Sequence, residues 1–128
     1  MKVAVIGDIH GTTKFLECYK NIQETDSDVD KIIVLGDWFD PYVDIDLEVM
    51  IERYNEFVKI WKSDDRIISI LGNHDLAGYI ISNDSTNRTL RFGKMRKQLR
   101  EVIEPNLPES YLTYKIGDYM FSHAGVSQ

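Results

Sequence analysis

VAVIGDIHG, from Val3 to Gly11, changes character at its centre. The unbroken apolar run Val3-Ala4-Val5-Ile6 fits a strand buried on both faces, and Gly7 ends it. An acid and an imidazole then follow two residues apart, fenced by glycines. Alternate residues of an extended segment project to the same side, so Asp8 and His10 are placed to chelate one ion. Turns are also rich in Asp and Gly, so the remaining strand ends must decide between a turn and a ligand pair.

The same design recurs twice. Lys31 to Leu35 reads as a second buried strand that breaks into Gly36-Asp37-Trp38-Phe39-Asp40, and Arg66 to Leu71 as a third strand that breaks into Gly72-Asn73-His74-Asp75. The connecting segments are helical in period. After Thr12 or Thr13 as cap, Phe15, Cys18, Tyr19 and Ile22 share one face. After Asp44 or Asp46 as cap, so do Leu47, Met50, Ile51, Tyr54, Phe57, Val58 and Trp61. The order is βαβαβ, which predicts an α/β fold on a parallel sheet.

Beyond a loop at 76–87, a helix is expected over about 88–104, with Phe92, Met95, Leu99 and Val102 or Ile103 inward. Pro105 and Pro108 end it. Residues 111–116 and 119–122 then read as a hairpin around Gly117-Asp118, leading into Ser122-His123-Ala124-Gly125. One domain over residues 1–128 is the expected organisation, with no repeat or linker.

Composition narrows the function. A net charge of −6 argues against bulk nucleic-acid binding. Cys18 is the one cysteine, so no internal disulfide can form, and its helical position suits a small buried hydrophobe. Gly7 and Asp8 interrupt the first apolar run too early for a signal peptide, and no stretch reaches the ~20 apolar residues of a membrane span. These features predict a cytoplasmic protein with no membrane partner.

The histidines separate ligands from turns. The chain has three, His10, His74 and His123, and each lies in a polar cluster at a strand end. Ligands of open α/β sheets bind outside the carboxyl ends of the strands, where these clusters would converge. Carboxylate, imidazole and amide oxygen together suit divalent ions such as Mn²⁺, Fe²⁺ or Zn²⁺. Two such ions clamp a phosphate and supply a metal-bound hydroxide for in-line attack. His74 beside Asp75 fits a general acid whose imidazolium is oriented by a carboxylate.

GDIHG, GDWFD, GNHD and SHAG, in this order from Val3 to Val126, resemble the successive motifs of the calcineurin-like metallophosphoesterase superfamily. The wording is closest to the branch of serine/threonine protein phosphatases and diadenosine tetraphosphate hydrolases. The resemblance implies a β-sandwich flanked by helices, of which βαβαβ, a helix and a β-hairpin form the N-terminal part. It implies a dinuclear centre, with Mn²⁺ the first choice: Asp8 and His10 on one ion, Asp37 bridging, Asn73 and His123 on the second. His74 would protonate the leaving oxygen, supported by Asp75.

Two departures from the family pattern stand out. Pro41 follows Asp40 where many phosphatases of this branch carry a phosphate-gripping arginine, leaving Arg88 and Arg91 as substrate-binding candidates. The family also continues past SHAG to a GHxH-type motif supplying another histidine to each ion, whereas this chain stops at Gln128. The domain is therefore expected to be C-terminally incomplete. Water, a second copy or another completing subunit would fill the remaining positions.

The basic run Arg88, Arg91, Lys94, Arg96, Lys97 and Arg100, without an intervening acid, reads first as a solvated helix face and second as a landing surface for an anion. The expected function is metal-dependent hydrolysis of a phosphoprotein, small phosphate ester or nucleotide. The alternative is a non-catalytic remnant of such a domain that binds a partner or nucleotide.

Overall fold

Strand β2 (Lys31–Val34) lies between β1 (Val3–Ile6) and β3 (Ile67–Ser69), so its Ile32, Ile33 and Val34 are wholly buried. The computed structural model describes residues 1–39, 45–72, 75 and 96–124. Both pairings are parallel, with Val3 opposite Lys31, Ile6 opposite Val34, Ile32 opposite Ile67 and Val34 opposite Ser69. All three strands therefore end at the same edge of the sheet.

Three helices are described: α1 (Lys14–Thr25), α2 (Leu47–Ser63) and α3 (Arg96–Ile103). A 3₁₀ segment (Glu104–Glu109) continues α3, then β4 (Thr113–Ile116) and β5 (Tyr119–Ser122) close the order. The fold is mixed α/β, as the alternation of apolar runs and helical faces predicts.

Alternation along β2 sorts the core into two layers. Ile32 and Val34, with Ile6 and Ile67, pack with Phe15 and Ile22 of α1, Leu47, Met50, Tyr54, Phe57 and Trp61 of α2, and Leu99 and Ile103 of α3. On the other face Ile33, Ile68 and Ile70 meet Tyr114, Ile116 and Phe121 of the hairpin. The described helices thus share one face of the sheet and the hairpin takes the other. Phe57 is the hub of the helical side. Its ring stacks on Trp38 with centroids 4.3 Å apart and meets Phe15 edge-on at 4.8 Å. Such pairs add about 0.5–1.5 kcal/mol beyond area burial. Because Trp38 follows Asp37 directly, this cluster anchors the turn that carries the acid.

Several local expectations need correcting. The third strand is shorter than residues 66–71, because past Ser69 its partners are divided. The Ile70 N–H still donates to the Val34 carbonyl, while Tyr111 forms an isolated parallel bridge to Ile70, bonded to Ser69 and Leu71. Thr13 and Asp46 occupy the N-cap positions of α1 and α2 without a side-chain cap bond. At α1 the Thr12 hydroxyl instead accepts from the Lys14 N–H at 3.3 Å and donates to the Ile9 carbonyl at 2.7 Å. Leu99 and Ile103 are buried as expected. Asp40, Pro41, Asp44, Phe92 and Met95 lie outside the described residues.

The hairpin pairs Thr113 with Ser122 and Ile116 with Tyr119, and its turn uses a left-handed Gly117 at φ 57°. A groove of about 580 Å³ runs beside it, lined by Met1, Val3 and Val5 on one wall and Ile116, Tyr119 and Phe121 on the other. Among the described residues, no helix is long and apolar enough to cross a membrane. Cys18 is half-buried against the helical core. Arg100 lies 3.6 Å from Glu104 in an exposed ion pair, which fits the solvated-face reading at that residue.

Asp64, just after α2, ties the helical layer to β3. It accepts from the Tyr19 hydroxyl at 2.8 Å and from Arg66 Nη2 at 2.7 Å. The Arg66 bonds, opposed by burial, hold its carboxyl at about 2, below its usual 3.8. A depressed carboxylate contributes stability that is complete above its unfolded pKa and is lost as pH falls through the folded one. Between pH 4 and pH 2 the protein is therefore expected to lose about 1–2 kcal/mol from this group, after discounting for solvent screening. Urea unfolding across that range should show Asp64→Asn less stable at neutral pH and lacking this increment of acid loss. An acid limb unchanged by the substitution would refute the assignment.

Candidate metal centre

The pairing of β1 with β2 does not stop at the strand ends. The Ile9 N–H donates to the Gly36 carbonyl at 3.4 Å, His10 to Asp37 at 2.6 Å and Gly11 to Trp38 at 2.7 Å. Buried Ile9 on one loop, and Trp38 and Phe39 on the other, hold the two turns against the core. Both site residues are left-handed, His10 at φ 47° and Asp37 at φ 53°. Left-handed backbone costs a non-glycine residue about 1–2 kcal/mol, so two such residues one hydrogen bond apart mark a locally strained, well-anchored place.

This backbone brings four side chains together. His10 Nε2 lies 3.7 Å from both Asp8 Oδ2 and Asp37 Oδ2. His123, just past β5, approaches from the hairpin layer, with Nε2 3.0 Å from Asp37 Oδ2 and Nδ1 3.4 Å from Asp8 Oδ1. His10 and Asp37 are nearly inaccessible, whereas the Asp8 side chain is 48% exposed. The cluster therefore opens to solvent on the Asp8 side.

The donor set fits a divalent cation. Ligand atoms of Asp8, His10 and Asp37 all lie within 4.8 Å of one another, as one ion would require. His123 adds a sharper observation. Its Nδ1 is 2.8 Å from the Leu35 carbonyl, which can only accept, so Nδ1 carries the proton. A neutral ring then presents a lone pair to the Asp37 carboxylate at 3.0 Å. A proton or a cation has to lie between them. A second-side hydrogen bond that fixes the tautomer is also how metal-ligating histidines are oriented.

Asp75 completes the arrangement from below. Its Oδ2 accepts the N–H groups of Asp37 at 2.8 Å and Gly72 at 2.9 Å, and its Oδ1 accepts that of Trp38 at 2.9 Å. Burial pushes this carboxyl up to about 6, while the three backbone donors act to lower it.

Of the residues singled out in the sequence, the structure brings together Asp8, His10, Asp37 and His123, and places Asp75 beneath Asp37. Asn73, His74, Arg88 and Arg91 lie outside the described residues, and with them the expected pairing of His74 and Asp75. Three supporting contacts went unread. Arg53 Nη1 donates to the Gly11 carbonyl at 2.5 Å, Lys14 Nζ donates to the Asp8 carbonyl at 3.3 Å, and Leu35 supplies the carbonyl for His123. Each uses a backbone oxygen, which leaves no mark on residue type.

A family model described as calcineurin-like phosphoesterase matches residues 1–127, nearly the whole chain. No curated protein matches it significantly.

Two glycines offer a test of how tightly the strand ends cross. At Gly36, φ 80°, an added Cβ would fall 2.5 Å from both the Gly72 nitrogen and the Ile70 carbonyl oxygen. At Gly117, φ 57°, it would meet nothing within 4 Å. Gly117→Ala is therefore expected to cost only the left-handed penalty, about 1 kcal/mol. Gly36→Ala should cost at least about 2 kcal/mol more, because backbone must move. Equal losses in urea unfolding would show that the crossing at Gly36 is not tight.

Proposed function

This chain belongs to the calcineurin-like phosphoesterase family, and we propose that it hydrolyses phosphomonoesters of a phosphoprotein or small phosphate compound. Two divalent ions, Mn²⁺ first among the candidates, would be held by Asp8, His10, Asp37, Asn73 and His123. Ions in such a site polarise a phosphate and lower the pKa of water, which is the chemistry they would supply here. The observation that carries the reading is the 3.0 Å approach of His123 Nε2 to Asp37 Oδ2 with Nδ1 committed to Leu35. An imidazole nitrogen and a carboxylate oxygen meet there across two layers of the fold, an arrangement satisfied by a shared cation and equally by an imidazolium donating to Asp37.

The roles of the side chains follow from their positions. Asp37 Oδ2 faces His10 on one side and His123 on the other, which suits the shared carboxylate of a two-ion site. His10 is held by its backbone bond to Asp37, which fixes where its side chain leaves the main chain. Asp8, at the open rim, is where a phosphate would enter. His74, between Asn73 and Asp75 in sequence, is assigned proton donation to the leaving oxygen, and Arg88 and Arg91 the grip on phosphate. The wording of GDIHG, GDWFD, GNHD and SHAG is closest to the branch that holds both the serine/threonine protein phosphatases and the diadenosine tetraphosphate hydrolases, so nucleotide hydrolysis is the neighbouring activity. The lone half-buried Cys18 supports a reducing, cytoplasmic setting.

Chromogenic phosphomonoester hydrolysis by stripped protein, with and without added Mn²⁺, tests this reading. Turnover should require the ion, and Asp37→Asn should lower kcat/KM by at least about 100-fold, about 2.7 kcal/mol of transition-state stabilisation. Turnover that persists without added ion, or that survives in the variant, would sink the proposal.

A further inference from the structure

The carboxylate of Asp75 is buried, yet among the described residues every hydrogen bond it accepts comes from main chain. Two of its donors, Asp37 and Trp38, lie past the end of β2, and the third, Gly72, lies past the end of β3. We propose that Asp75 is a positioning residue for Asp37. By taking these three N–H groups it sets the left-handed turn that aims the Asp37 carboxylate at His10 and His123. The proposal rests on the phosphoesterase reading above and assigns the site a control that its ligands do not contain.

The geometry requires some such device. Asp37 must be an acid to bind a cation, so the glycine that a left-handed position favours is not available there. Its N–H and that of Trp38 sit where β2 has ended, with no strand carbonyl from β3 opposite them. A charged oxygen pair answers both, and bonds of this kind are about twice as strong as neutral ones. The approach is close enough to dictate its neighbours. A Cβ on Gly36 would fall 2.7 Å from Asp75 Oδ2, and one on Gly72 would fall 2.6 Å from the Asp37 nitrogen. The turn, the two glycines and the acid form one unit, and the buried Asp37 carboxylate is what it positions.

An amide in place of the acid keeps one acceptor oxygen and turns a donor toward backbone N–H, so at least one of the three bonds is lost. A purely structural role would lower the melting temperature and leave metal affinity alone. A positioning role would lower affinity as well. The experiment is Mn²⁺ titration of the full chain, with free ion read by electron paramagnetic resonance, for wild type, Asp75→Asn and Asp64→Asn. Asp64 lies at the end of α2 outside the site and serves as the destabilised control.

Wild type and Asp64→Asn are expected to bind alike, and Asp75→Asn at least about tenfold more weakly, the usual scale for loss of an outer partner. A folded Asp75→Asn within twofold of wild type would overturn the proposal and leave the phosphoesterase reading standing. Wild type that takes up no Mn²⁺ would overturn both. Should Asp75→Asn fail to fold, amide hydrogen exchange of the wild type decides by reciprocity. Saturating Zn²⁺ should slow the Asp37, Trp38 and Gly72 amides at least about tenfold relative to those of β4 and β5. Exchange of the three that ignores the ion would overturn the proposal.

Discussion

Hydrogen bonds from His10 and Gly11 to the carbonyls of Asp37 and Trp38 carry the pairing of β1 and β2 beyond the last regular strand residues. Parallel strands end at a common edge, but strand ends ordinarily splay into loops. Here the ladder continues into both turns, and two candidate ligands sit on facing positions of it. Their separation is therefore a property of the sheet register, set by the same pairing that buries Ile32, Ile33 and Val34. A one-residue slip of β1 would exchange its two faces and carry His10 away from Asp37.

Holding that geometry has a cost. Strained backbone runs to about 1–3 kcal/mol per residue, against a total stability of about 5–15 kcal/mol for a domain of this kind. The anchoring is correspondingly dense. Ile9, Trp38 and Phe39 are buried on either side of the two ligands, and Trp38 stacks on Phe57, which touches Phe15 and Trp61. Arg53 reaches from α2 to the Gly11 carbonyl and closes the first turn from outside. The aromatic face of α2 thus serves two ends. It fills the helical core, and it resists relaxation of a turn whose side chain must stay where it is.

Much of this was legible from residue types alone. Segments rich in apolar residues and ending in glycine marked the three parallel strands, although Ser69 interrupts the third and β1 is not buried on both faces, its Val5 being 49% exposed. Leu47, Met50, Tyr54, Phe57 and Trp61 named the inward face of α2 correctly because a helix that covers a sheet needs a continuous stripe. Asp8, His10 and Asp37 were readable as one cluster because parallel topology brings strand ends together whatever the loops do, and His123 joins them only through the docking of the antiparallel hairpin on the other face. What escaped reading was the main chain. Of the cap bonds expected from threonine and aspartate, Thr12 does accept the first N–H of α1, from Lys14, while Asp46 caps by charge and position only. The bonds of Asp75 to the N–H groups of Asp37, Trp38 and Gly72 have no counterpart in the reading of Asp75 beside His74. Backbone donors are the same in every residue, so no pattern of side chains announces them.

His123 is the point at which the two layers of the molecule depend on each other. A two-stranded hairpin is at best marginally stable by itself, and β4–β5 is held to the sheet by Tyr114, Ile116 and Phe121 on Ile33, Ile68 and Ile70. The bond from His123 to Leu35 adds a polar tie at the end of that contact, and its other nitrogen meets Asp37. A carboxylate on the sheet edge and an imidazole on the hairpin cannot approach to 3.0 Å without a positive charge between them. That charge, an imidazolium proton or a bound cation, is shared by both groups only when the hairpin is docked. Its affinity and the docking of β4–β5 are then linked through one free energy, so the substitutions that loosen the hairpin should weaken the site even where they touch no ligand.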